Sequence, residues 1–586
     1  MSDHRHLEYQ TLLSESRRLD ATAASRTVRL ALLSDAATQR FVPILRALFA
    51  RRGVNAEIYE GPFDAIELEV YDRDSGLYRF QPQVIVVLNC VQALRASFLQ
   101  PGTDTATFVE TTSRRITRIW DAIQSIIPAT IIQSNFVLPY ERIFGNFDLK
   151  TPQSWYATVA ALNAHVAENA HPLGGVLLCD TESVASWLGR QHWFEERFWD
   201  SAKYFCALDC LPSVAENLVS IVMTSLGQVA KCVIVDLDNT LWGGVIGDDG
   251  LEGIQISAHG DGEAFYRLQL YLRALKQRGI VLAVCSKNEM ATALLPFEKH
   301  PEMVLRRDDF AVFVANWNDK AVNIREIQRT LNIGLDSMVF LDDNPFERNL
   351  VRELVPGVIV PELPEDPADY VRAISELNLW ETTTFSTEDT KRTELYQAEA
   401  QRREEQAGFA SVEGFLQSLD MRITVERFDS FHLPRISQLM QRSNQFNLTT
   451  RRLSEVGCKE LMENSTWLPL YAKLADRLSD HGLISVVTVE ALAGELAIRD
   501  WLMSCRVLGR GVESYLMNRV AEQAKKLGLR RITAEYIPTA KNSMVKDFFQ
   551  QFGFEKASET DKGESRWSLT TEQYEPRTTF LKPVEG

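Results

Sequence analysis

The chain lacks the features that mark membrane and secreted proteins. No apolar run in its 586 residues approaches the roughly 20 needed to cross a bilayer. Residues 1–16 are polar and have no apolar segment of the kind found in secretory signals. The eight cysteines are few and scattered, so they do not suggest a disulfide framework, and Cys206 and Cys210 are too isolated to indicate a metal site. We therefore expect a protein of the reducing cytoplasm with no membrane partner.

Basic residues are outnumbered by acidic ones. Lys and Arg number 63 against 79 Asp and Glu, which gives a formal net charge of −16 at pH 7. Proteins that coat nucleic acid or anionic membranes need a basic face, so neither is expected as a partner. The composition, 45% hydrophobic and 24% charged, is ordinary for a globular protein, and the length suggests several domains.

Short apolar runs alternate with longer amphipathic segments along the first two thirds of the chain. This alternation is typical of a parallel sheet covered by helices on both faces. The pattern begins at Val28 and restarts at Lys231, so it predicts two doubly wound α/β domains. The predicted strands lie at 28–33, 84–88, 130–133, 175–178, 232–235, 280–284 and 338–341.

The last third of the chain has a different organisation. Strand signals at 483–489, 495–504 and 531–536, with a helix from Glu513, predict an α+β domain. A segment rich in charged residues precedes it and predicts an exposed, partly helical connector. The predicted divisions are 1–228, 229–382, the connector 383–408, 409–575 and a loose tail at 576–586.

Two aspartates follow the predicted strand at 232–235. Asp236 and Asp238 are two positions apart, so on extended backbone they point to the same side at the carboxyl end of a buried strand. Two bare carboxylates in that position repel each other unless a cation lies between them or one holds a proton. Mg²⁺, which prefers oxygen ligands, fits such a site.

Later segments supply matching side chains at other strand ends. Ser286 follows the next predicted strand and can hydrogen-bond a phosphoryl oxygen, and Lys320 opens a helix where it can neutralise phosphate charge. Asp342 and Asp343 end another strand and can add metal ligands. An Asp-x-Asp pair alone is weak evidence for a catalytic site, since a structural or turn role explains many such pairs. All four elements in this order resemble the haloacid dehalogenase (HAD) superfamily of phosphotransferases.

Longer motifs narrow the resemblance to the FkbH-like family, over roughly residues 27–575. They are Asp236-Leu-Asp-Asn-Thr-Leu-Trp-Gly-Gly-Val-Ile-Gly247, Val284-Cys-Ser-Lys-Asn288, Trp317-Asn-Asp-Lys320, Phe340-Leu-Asp-Asp-Asn-Pro-Phe-Glu-Arg348, Ser443-Asn-Gln-Phe-Asn-Leu-Thr-Thr-Arg-Arg452 and Ser504-Cys-Arg-Val-Leu-Gly-Arg-Gly-Val-Glu513. The resemblance implies a Mg²⁺-dependent glyceryltransferase and phosphatase. Such an enzyme dephosphorylates D-1,3-bisphosphoglycerate and loads its glyceryl group as a thioester on an acyl carrier protein in secondary metabolism.

The resemblance also implies residue roles. Asp236 matches the nucleophile that takes the phosphoryl group, and Asp238 the general acid and base. Thr240 and Ser286 match hydroxyls that orient the phosphate, and Lys320 the charge stabiliser. The metal ligands are then expected among Asp236, Asp238, Asp342 and Asp343. The stretch between Trp242 and Gly262 is too short for a large cap domain, so we expect an open site.

Thioester formation suggests a nucleophilic cysteine. Cys285 precedes Ser286, and we expect Lys287 and Mg²⁺ to lower its pKa, so we interpret it as the residue that carries the glyceryl group. The competing interpretation is an ordinary core cysteine, because the strand around it is apolar. Cys505 is the alternative thiol, next to the turn of the last domain.

The turn Arg506-Val-Leu-Gly509-Arg-Gly511 leads from a predicted strand into a helix. Glycines and a helix N-terminus suit a pyrophosphate, and the order of elements resembles the GNAT-like acyltransferase fold. We therefore expect Arg506, Gly509, Arg510 and Gly511 to bind the phosphopantetheine arm of the carrier. Independent acetyltransfer is the alternative, but no site for an amine substrate is visible.

The first domain resembles an SGNH-type hydrolase only loosely. Ser34-Asp35-Ala36 follows its first strand, but the nucleophilic serine of that family follows the aspartate, where this chain has Ala36. We therefore predict an SGNH-like but non-catalytic domain that serves in docking, dimerisation or site covering. For the whole chain, two alternatives to glyceryltransfer stay open: a small-molecule phosphatase without thioester formation, and a carrier-binding scaffold.

Overall fold

The computed structural model of the chain describes residues 8–19, 26–385, 387–409, 411–443, 445–539 and 542–584. Two compact units are present: one contains residues up to 225 together with Leu453–Cys458, and the other contains 226–452 and the residues from 459 onward. The predicted connector lies inside the second unit. The separation of 229–382 from 409–575 therefore stays a prediction.

The first unit is built on a five-stranded sheet in the order β2-β1-β3-β4-β5, with every pairing parallel. Its strands are β1 (Arg26–Ser34), β2 (Val54–Glu60), β3 (Val84–Leu88), β4 (Thr130–Ser134) and β5 (Val176–Cys179). The described helices are α1 (Tyr9–Ser16), α2 (Phe41–Arg51), α3 (Ile66–Tyr71), α4 (Gly76–Phe80), α5 (Val91–Phe98), α6 (Phe108–Gln124), α7 (Trp155–Ala170), α8 (Thr181–Leu188), α9 (Arg190–Trp193), α10 (Glu196–Ala202) and α11 (Leu211–Ser225). The parallel sheet is confirmed, whereas the SGNH-like assignment stays a prediction.

A second parallel sheet, in the order β8-β7-β6-β9, begins the other unit. Its strands are β6 (Cys232–Val235), β7 (Val281–Ser286), β8 (Phe310–Ala315) and β9 (Met338–Leu341). The helices are α12 (Ile246–Gly253), α13 (Glu263–Gln277), α14 (Met290–Lys299), α15 (Lys320–Leu331), α16 (Pro345–Leu354) and α17 (Tyr370–Ser375). Every residue of β6 and β9 is buried, because an apolar cluster packs on each face of the sheet. Only the short helix α12 and a three-residue 3-10 turn, Gly260–Gly262, lie between β6 and the start of α13, so no large domain is inserted there.

The charged segment 383–408 is helical, but the prediction that it is exposed is wrong. It forms α18 (Thr387–Thr390) and α19 (Arg392–Ala407). Tyr396 packs into the apolar cluster beside β7 and β9. Arg402 is only 2% exposed because its guanidinium donates to the buried carboxylate of Asp476 at 2.8 Å. Charge is therefore no reliable sign of exposure here, since Arg402 is paired inside the unit whereas Lys391 and Glu394 are exposed.

The third sheet has nine strands and mixed directions. The strands are β10 (Arg422–Arg427), β11 (Phe446–Asn447), β12 (Trp467–Ala475), β13 (Asp480–Leu492), β14 (Glu495–Met503), β15 (Arg531–Tyr536), β16 (Glu555–Glu559), β17 (Ser565–Thr570) and β18 (Lys582–Pro583), and the helices are α20 (Val412–Ser418), α21 (Leu433–Arg442), α22 (Glu455–Glu463) and α23 (Val512–Lys526). β14 and β15 are parallel and α23 connects them. The tail predicted to be loose adds β18 to the edge of β10, and Leu581 before it is buried, so that prediction is corrected.

Candidate active site

The carboxyl ends of three neighbouring strands bring the predicted residues together. β6 lies between β7 and β9, all in parallel, so Asp236, Ser286 and the Asp342–Asp343 pair reach one edge of the sheet. Lys320 is the first residue of α15, whose N-cap Asp319 accepts a hydrogen bond from the backbone N–H of Ala321. The helix therefore starts at the site, and its first side chain reaches the aspartates.

Lys320 joins two of the aspartates in a buried contact. Its Nζ lies 2.9 Å from Asp236 Oδ2 and 2.6 Å from Asp342 Oδ2, and its side chain is 3% exposed. Burial alone lowers the pKa of Lys320, but the two carboxylates outweigh it and raise that pKa above its ordinary value. Lys320 therefore stays charged and holds both carboxylates in place.

Asp236, Asp342 and Asp343 form a group that fits a divalent cation. One oxygen of each lies within 4.8 Å of the others. Burial, followed by the charge of Asp236, raises the pKa of Asp342 to about 6 and also raises the pKa of Asp343. Lys320 takes one oxygen of Asp236, and the other, Oδ1, is buried without a hydrogen-bond partner among the described residues. A buried, unpaired carboxylate oxygen in an all-oxygen group matches the ligands that Mg²⁺ prefers.

Asp238 does not join this group, so its prediction as a metal ligand through the side chain is corrected. Its Oδ1 accepts hydrogen bonds from the indole N–H of Trp242 at 2.9 Å and the backbone N–H of Ile246 at 3.0 Å. Its Oδ2 accepts one from Asn288 Nδ2 at 2.8 Å. The side chain is held beside the metal group, and Oδ2 keeps an open lone pair, as a general acid and base requires.

Three residues that the sequence interpretation did not assign support this arrangement. Asn288 connects Asp238 to Ser286, because its Nδ2 also lies 3.2 Å from Ser286 Oγ. Trp242 fixes Asp238 from the other side, as described above. Arg348 donates to the backbone carbonyls of Asp342 at 2.8 Å and Asp343 at 2.7 Å. All three lie inside the motifs that carry the family resemblance, so those motifs were the sequence signal that could have identified them.

Thr240 positions an aspartate instead of facing the substrate. Its Oγ1 accepts a hydrogen bond from the backbone N–H of Asp343 at 3.1 Å and donates one to Asp343 Oδ1 at 3.3 Å. The hydroxyl is fully buried, so its predicted role in orienting phosphate is corrected to positioning. Ser286 Oγ accepts a hydrogen bond from Asn288, and its role in orienting phosphate stays a prediction.

A tight turn brings the chain back to Asp238 after Thr240. Gly244 has a φ of 88°, in the left-handed region, and its N–H donates to Asn239 Oδ1 at 2.9 Å. A Cβ on Gly244 would lie 2.6 Å from Asp249 Oδ2, so a larger residue would displace that carboxylate from its hydrogen bond with the N–H of Val245. This turn delivers the N–H of Ile246 to Asp238.

The prediction that Cys285 carries the acyl group is contradicted. Cys285 is fully buried in the apolar cluster with Val281 and Ala283, and its thiol donates to the backbone carbonyl of Lys320 at 3.8 Å. Burial raises the pKa of Cys285 well above its ordinary value despite the charge of Lys320. Lys287 does not assist, because its Nζ pairs with Glu347 at 2.6 Å. Cys285 is a core cysteine, and the side chain of Cys505 lies outside the described residues.

Most residues of the predicted carrier-binding turn already have contacts or conformational roles within the chain itself. Arg510 is buried and pairs with Asp476 at 3.1 Å and with Glu399, so its prediction as a carrier contact is corrected. The N–H of Gly509 donates to Glu513 Oε1 at 3.0 Å, so this chain's own carboxylate occupies a place predicted for phosphate. Gly511 caps α23 with a φ of 82°, a conformational role. Arg506 alone of the four keeps a guanidinium available, with Ser504 Oγ 3.2 Å from its Nε.

In the first unit, the edge that follows β1 and β3 holds no serine nucleophile where the loose resemblance would place one. Ser34 Oγ donates to the backbone carbonyl of Leu88 at 2.9 Å, and position 36 is a buried alanine. Asp35 accepts hydrogen bonds from Asn89 Nδ2 at 2.9 Å and from the backbone N–H of Cys90 at 2.8 Å. Burial raises the pKa of Asp35 to about 6. This geometry agrees with a non-hydrolytic role, which stays a prediction.

Comparisons with known proteins identify the family. Residues 29–223 match the family described as FkbH, N-terminal domain. The N-terminal part of the protein BF1531 from Bacteroides fragilis, which contains a phosphatase domain and was crystallised with Mg, is 38% identical. The match has a TM-score of 0.61 and covers 64% of this chain and 100% of that one. The chain belongs to the FkbH-like family. The sequence resemblance is thereby confirmed, together with a mixed α/β fold.

Smaller parts of this FkbH-like chain are similar to acetyltransferases. The ribosomal-protein-S18-alanine N-acetyltransferase from Escherichia coli is 15% identical over 25% of this chain and 94% of its own, with a TM-score of 0.21. The GNAT domain of S. lividans PAT is 21% identical over 25% of this chain and 89% of its own, again with a TM-score of 0.21. No curated protein matches the chain significantly. No helix among the described residues is long and apolar enough to span a membrane. At these TM-scores, the GNAT-like fold stays a prediction.

Proposed function

We propose that this FkbH-like protein is a Mg²⁺-dependent phosphatase and glyceryltransferase of the HAD type. It dephosphorylates D-1,3-bisphosphoglycerate and loads the glyceryl group as a thioester on the phosphopantetheine arm of an acyl carrier protein. The observation that carries the proposal is the group Asp236, Asp342, Asp343 and Lys320, with Asp238 held beside it. Its phosphatase part is supported by the similarity to the Mg-bound phosphatase domain from Bacteroides fragilis. The glyceryl donor, the carrier and the place in secondary metabolism are supported by the family resemblance alone.

Phosphate removal follows from the two aspartates. An oxygen of Asp236 attacks phosphorus, the P–O bond to the glyceryl oxygen breaks, and Asp238 donates a proton to that oxygen as it leaves. Asp238 then takes a proton from water, whose oxygen attacks the aspartyl phosphate, so phosphate is released and Asp236 is regenerated. Asp236, Asp342 and Asp343 would hold Mg²⁺, which supplies positive charge to the phosphoryl oxygens. Lys320 and Ser286 orient the same oxygens.

Thioester formation needs no cysteine of this chain. The carbonyl of an acyl phosphate is already activated, so the pantetheine thiol can attack it directly. The C–S bond forms, the bond from carbonyl carbon to phosphate oxygen breaks, phosphate leaves, and the thiol proton passes to solvent. The burial of Cys285 supports this route over an acyl-enzyme. Two exposed aromatic side chains near the catalytic motifs, Trp317 and Phe346 at 75% and 66% exposure, offer contact area for a carrier.

The proposal predicts that Asp236→Asn lowers phosphate release by several orders of magnitude with the fold intact, since the amide is a poor nucleophile. EDTA should have the same effect, reversed by added Mg²⁺. Release from bisphosphoglycerate is measured by phosphate assay, and carrier loading by intact mass spectrometry. Asp308→Asn, which removes an exposed carboxylate, is the matched control.

Each alternative gives a different result in this experiment. Phosphate release without any carrier adduct indicates a small-molecule phosphatase. Carrier binding with no release and no adduct indicates a scaffold. Unchanged turnover in Asp236→Asn would move the chemistry away from this aspartate.

A further inference from the structure

A cavity of about 330 Å³ lies in the second unit, away from the aspartates. Its wall includes Lys231, Ile280 and Ser337, the residues immediately before β6, β7 and β9. These are the amino-terminal ends of the strands, whereas the catalytic aspartates follow the carboxyl ends. At about 3.3 Å per residue, the five steps from Lys231 to Asp236 correspond to roughly 16 Å. The cavity is therefore separate from the catalytic centre.

Its lining is strongly cationic in a chain with a formal net charge of −16. The basic lining residues are Lys231, Arg278, Arg392, Arg435 and Arg506, against two acidic ones, Asp336 and Asp389. Asp389 is already engaged by Arg392 and by Gln438, whose Nε2 lies 2.9 Å from its Oδ2. The lining therefore carries more basic than acidic side chains, five against two.

Two of these guanidinium groups come from different parts of the chain and are available to a ligand. Arg278 follows α13, and Arg506 lies in the turn after β14. The described contact of Arg506 is with a hydroxyl, Ser504 Oγ, and Arg278 is half-buried with the charges of Glu381 and Asp389 as attractive neighbours. In the described part of the chain, neither forms an ion pair with a carboxylate. Planar guanidinium groups of this kind suit the oxygens of phosphate.

The rest of the wall is apolar, which argues for a ligand with a carbon body. Leu439, Phe446 and Met503 line the cavity, and the last two are paired across β11 and β14. The volume is near the lower end of the range for small-molecule sites. We infer that this cavity binds a phosphorylated small molecule, with its phosphate held by Arg278 and Arg506 and its carbon body against Phe446 and Met503. The inference does not depend on the proposed chemistry at Asp236.

Isothermal titration calorimetry at constant ionic strength tests this site. The full-length Asp236→Asn chain, which should not turn over the probes, is titrated with inorganic phosphate, glycerol 3-phosphate and pantetheine 4′-phosphate. The same titrations are made after adding Arg278→Ala with Arg506→Ala. The matched control adds Arg519→Ala with Arg531→Ala, two exposed arginines outside the cavity. Arg506→Ala alone covers the case in which the double variant fails to fold.

We expect one-to-one binding of at least one ester, tighter than inorganic phosphate because the apolar wall contributes. Loss of Arg278 and Arg506 should weaken it at least tenfold, Arg506→Ala alone by less, and the control pair less than twofold. Preference for pantetheine 4′-phosphate would indicate a carrier or coenzyme arm, and preference for glycerol 3-phosphate a small metabolite. No saturable binding of any probe, or equal loss in the cavity and control variants, would overturn the inference.

Discussion

Asn288 shows how much of the catalytic geometry depends on one side chain. Its amide holds both Asp238 Oδ2 and Ser286 Oγ, so it sets the distance between the predicted acid and a phosphate-binding hydroxyl. We predict that Asn288→Ala lowers kcat for phosphate release roughly tenfold to a hundredfold, the usual effect of losing a supporting hydrogen bond. KM should change less, because Lys320 and the aspartates stay in place. Steady-state kinetics measures both constants.

The matched control for this substitution is Asn349→Ala. Asn349 lies exposed on α16, where its Oδ1 accepts a hydrogen bond from Arg352 at 2.8 Å. Its loss should leave both constants unchanged. If Asn288→Ala behaved like this control, the amide would not position Asp238.

For Cys285 we predict that a substitution leaves the activity unchanged. Its thiol is buried, and burial disfavours the reactive thiolate. Cys285→Ala should keep phosphate release and carrier loading near wild type, at a cost of about 1 kcal/mol in stability. Iodoacetamide should leave Cys285 unmodified in the native protein and modify it after unfolding in urea, as followed by peptide mass spectrometry. Native alkylation together with lost loading would restore the acyl-enzyme route.

At the scale of elements, continuous apolar runs predicted most of the buried parallel strands, although β8 was not among them. β6 and β9 lie where the continuous apolar runs at 232–235 and 338–341 placed them, because burial on both faces leaves no polar residue within the run. The same regularity explains why the aspartates were predicted to converge. Cys285 was misinterpreted because its closeness to Ser286 in sequence was taken as closeness to the phosphate, whereas adjacent residues of a strand point to opposite faces.

Long-range ion pairs could not be predicted in this way. Arg510 pairs with Glu399 and Asp476, which are 111 and 34 residues away in the chain. A run of charged residues is usually a solvated surface, and nothing local in α19 indicates that Arg402 pairs with Asp476 after β12 and Glu399 with Arg510 after β14. The predicted connector and the predicted carrier contact were therefore both wrong for one physical reason, a buried network that joins three distant segments.

This network gives a prediction for helix α19. Arg510→Ala removes one partner of a buried ion-pair cluster, a change that typically costs about 3–5 kcal/mol. Because Glu399 and Arg402 of α19 share the cluster, amide hydrogen exchange in that helix should speed up at least tenfold. Arg506→Ala, four positions earlier in the same turn, should leave exchange in α19 unchanged. Equal protection in the two variants would mean that the network does not hold the helix.

At the scale of the whole molecule, the β8-β7-β6-β9 sheet has acidic side chains at one edge and basic side chains at the other. The edge after β6 and β9 gathers carboxylates, and the edge before the same strands opens on the cationic cavity. Open parallel sheets bind ligands at their carboxyl edge, so sequence motifs indicate the first site. The second needs side chains from the end of α13 at Arg278, from α19 and from the turn after β14, and only the folded chain shows that these meet.

The carboxylate edge leads to a prediction about the stability of the whole chain that does not depend on activity. Ligands that bind only the folded state raise the melting temperature, and the grouped carboxylates of Asp236, Asp342 and Asp343 should bind Mg²⁺ in that state alone. A hundredfold excess of Mg²⁺ over its Kd should raise Tm by about 2 °C, relative to NaCl of equal ionic strength. Asp343→Asn should lose most of this shift in scanning calorimetry, whereas Asp308→Asn, with the same change of charge at an exposed position, should keep it. An equal shift in all three proteins would show that Mg²⁺ acts by screening the net charge of −16 and not at this site.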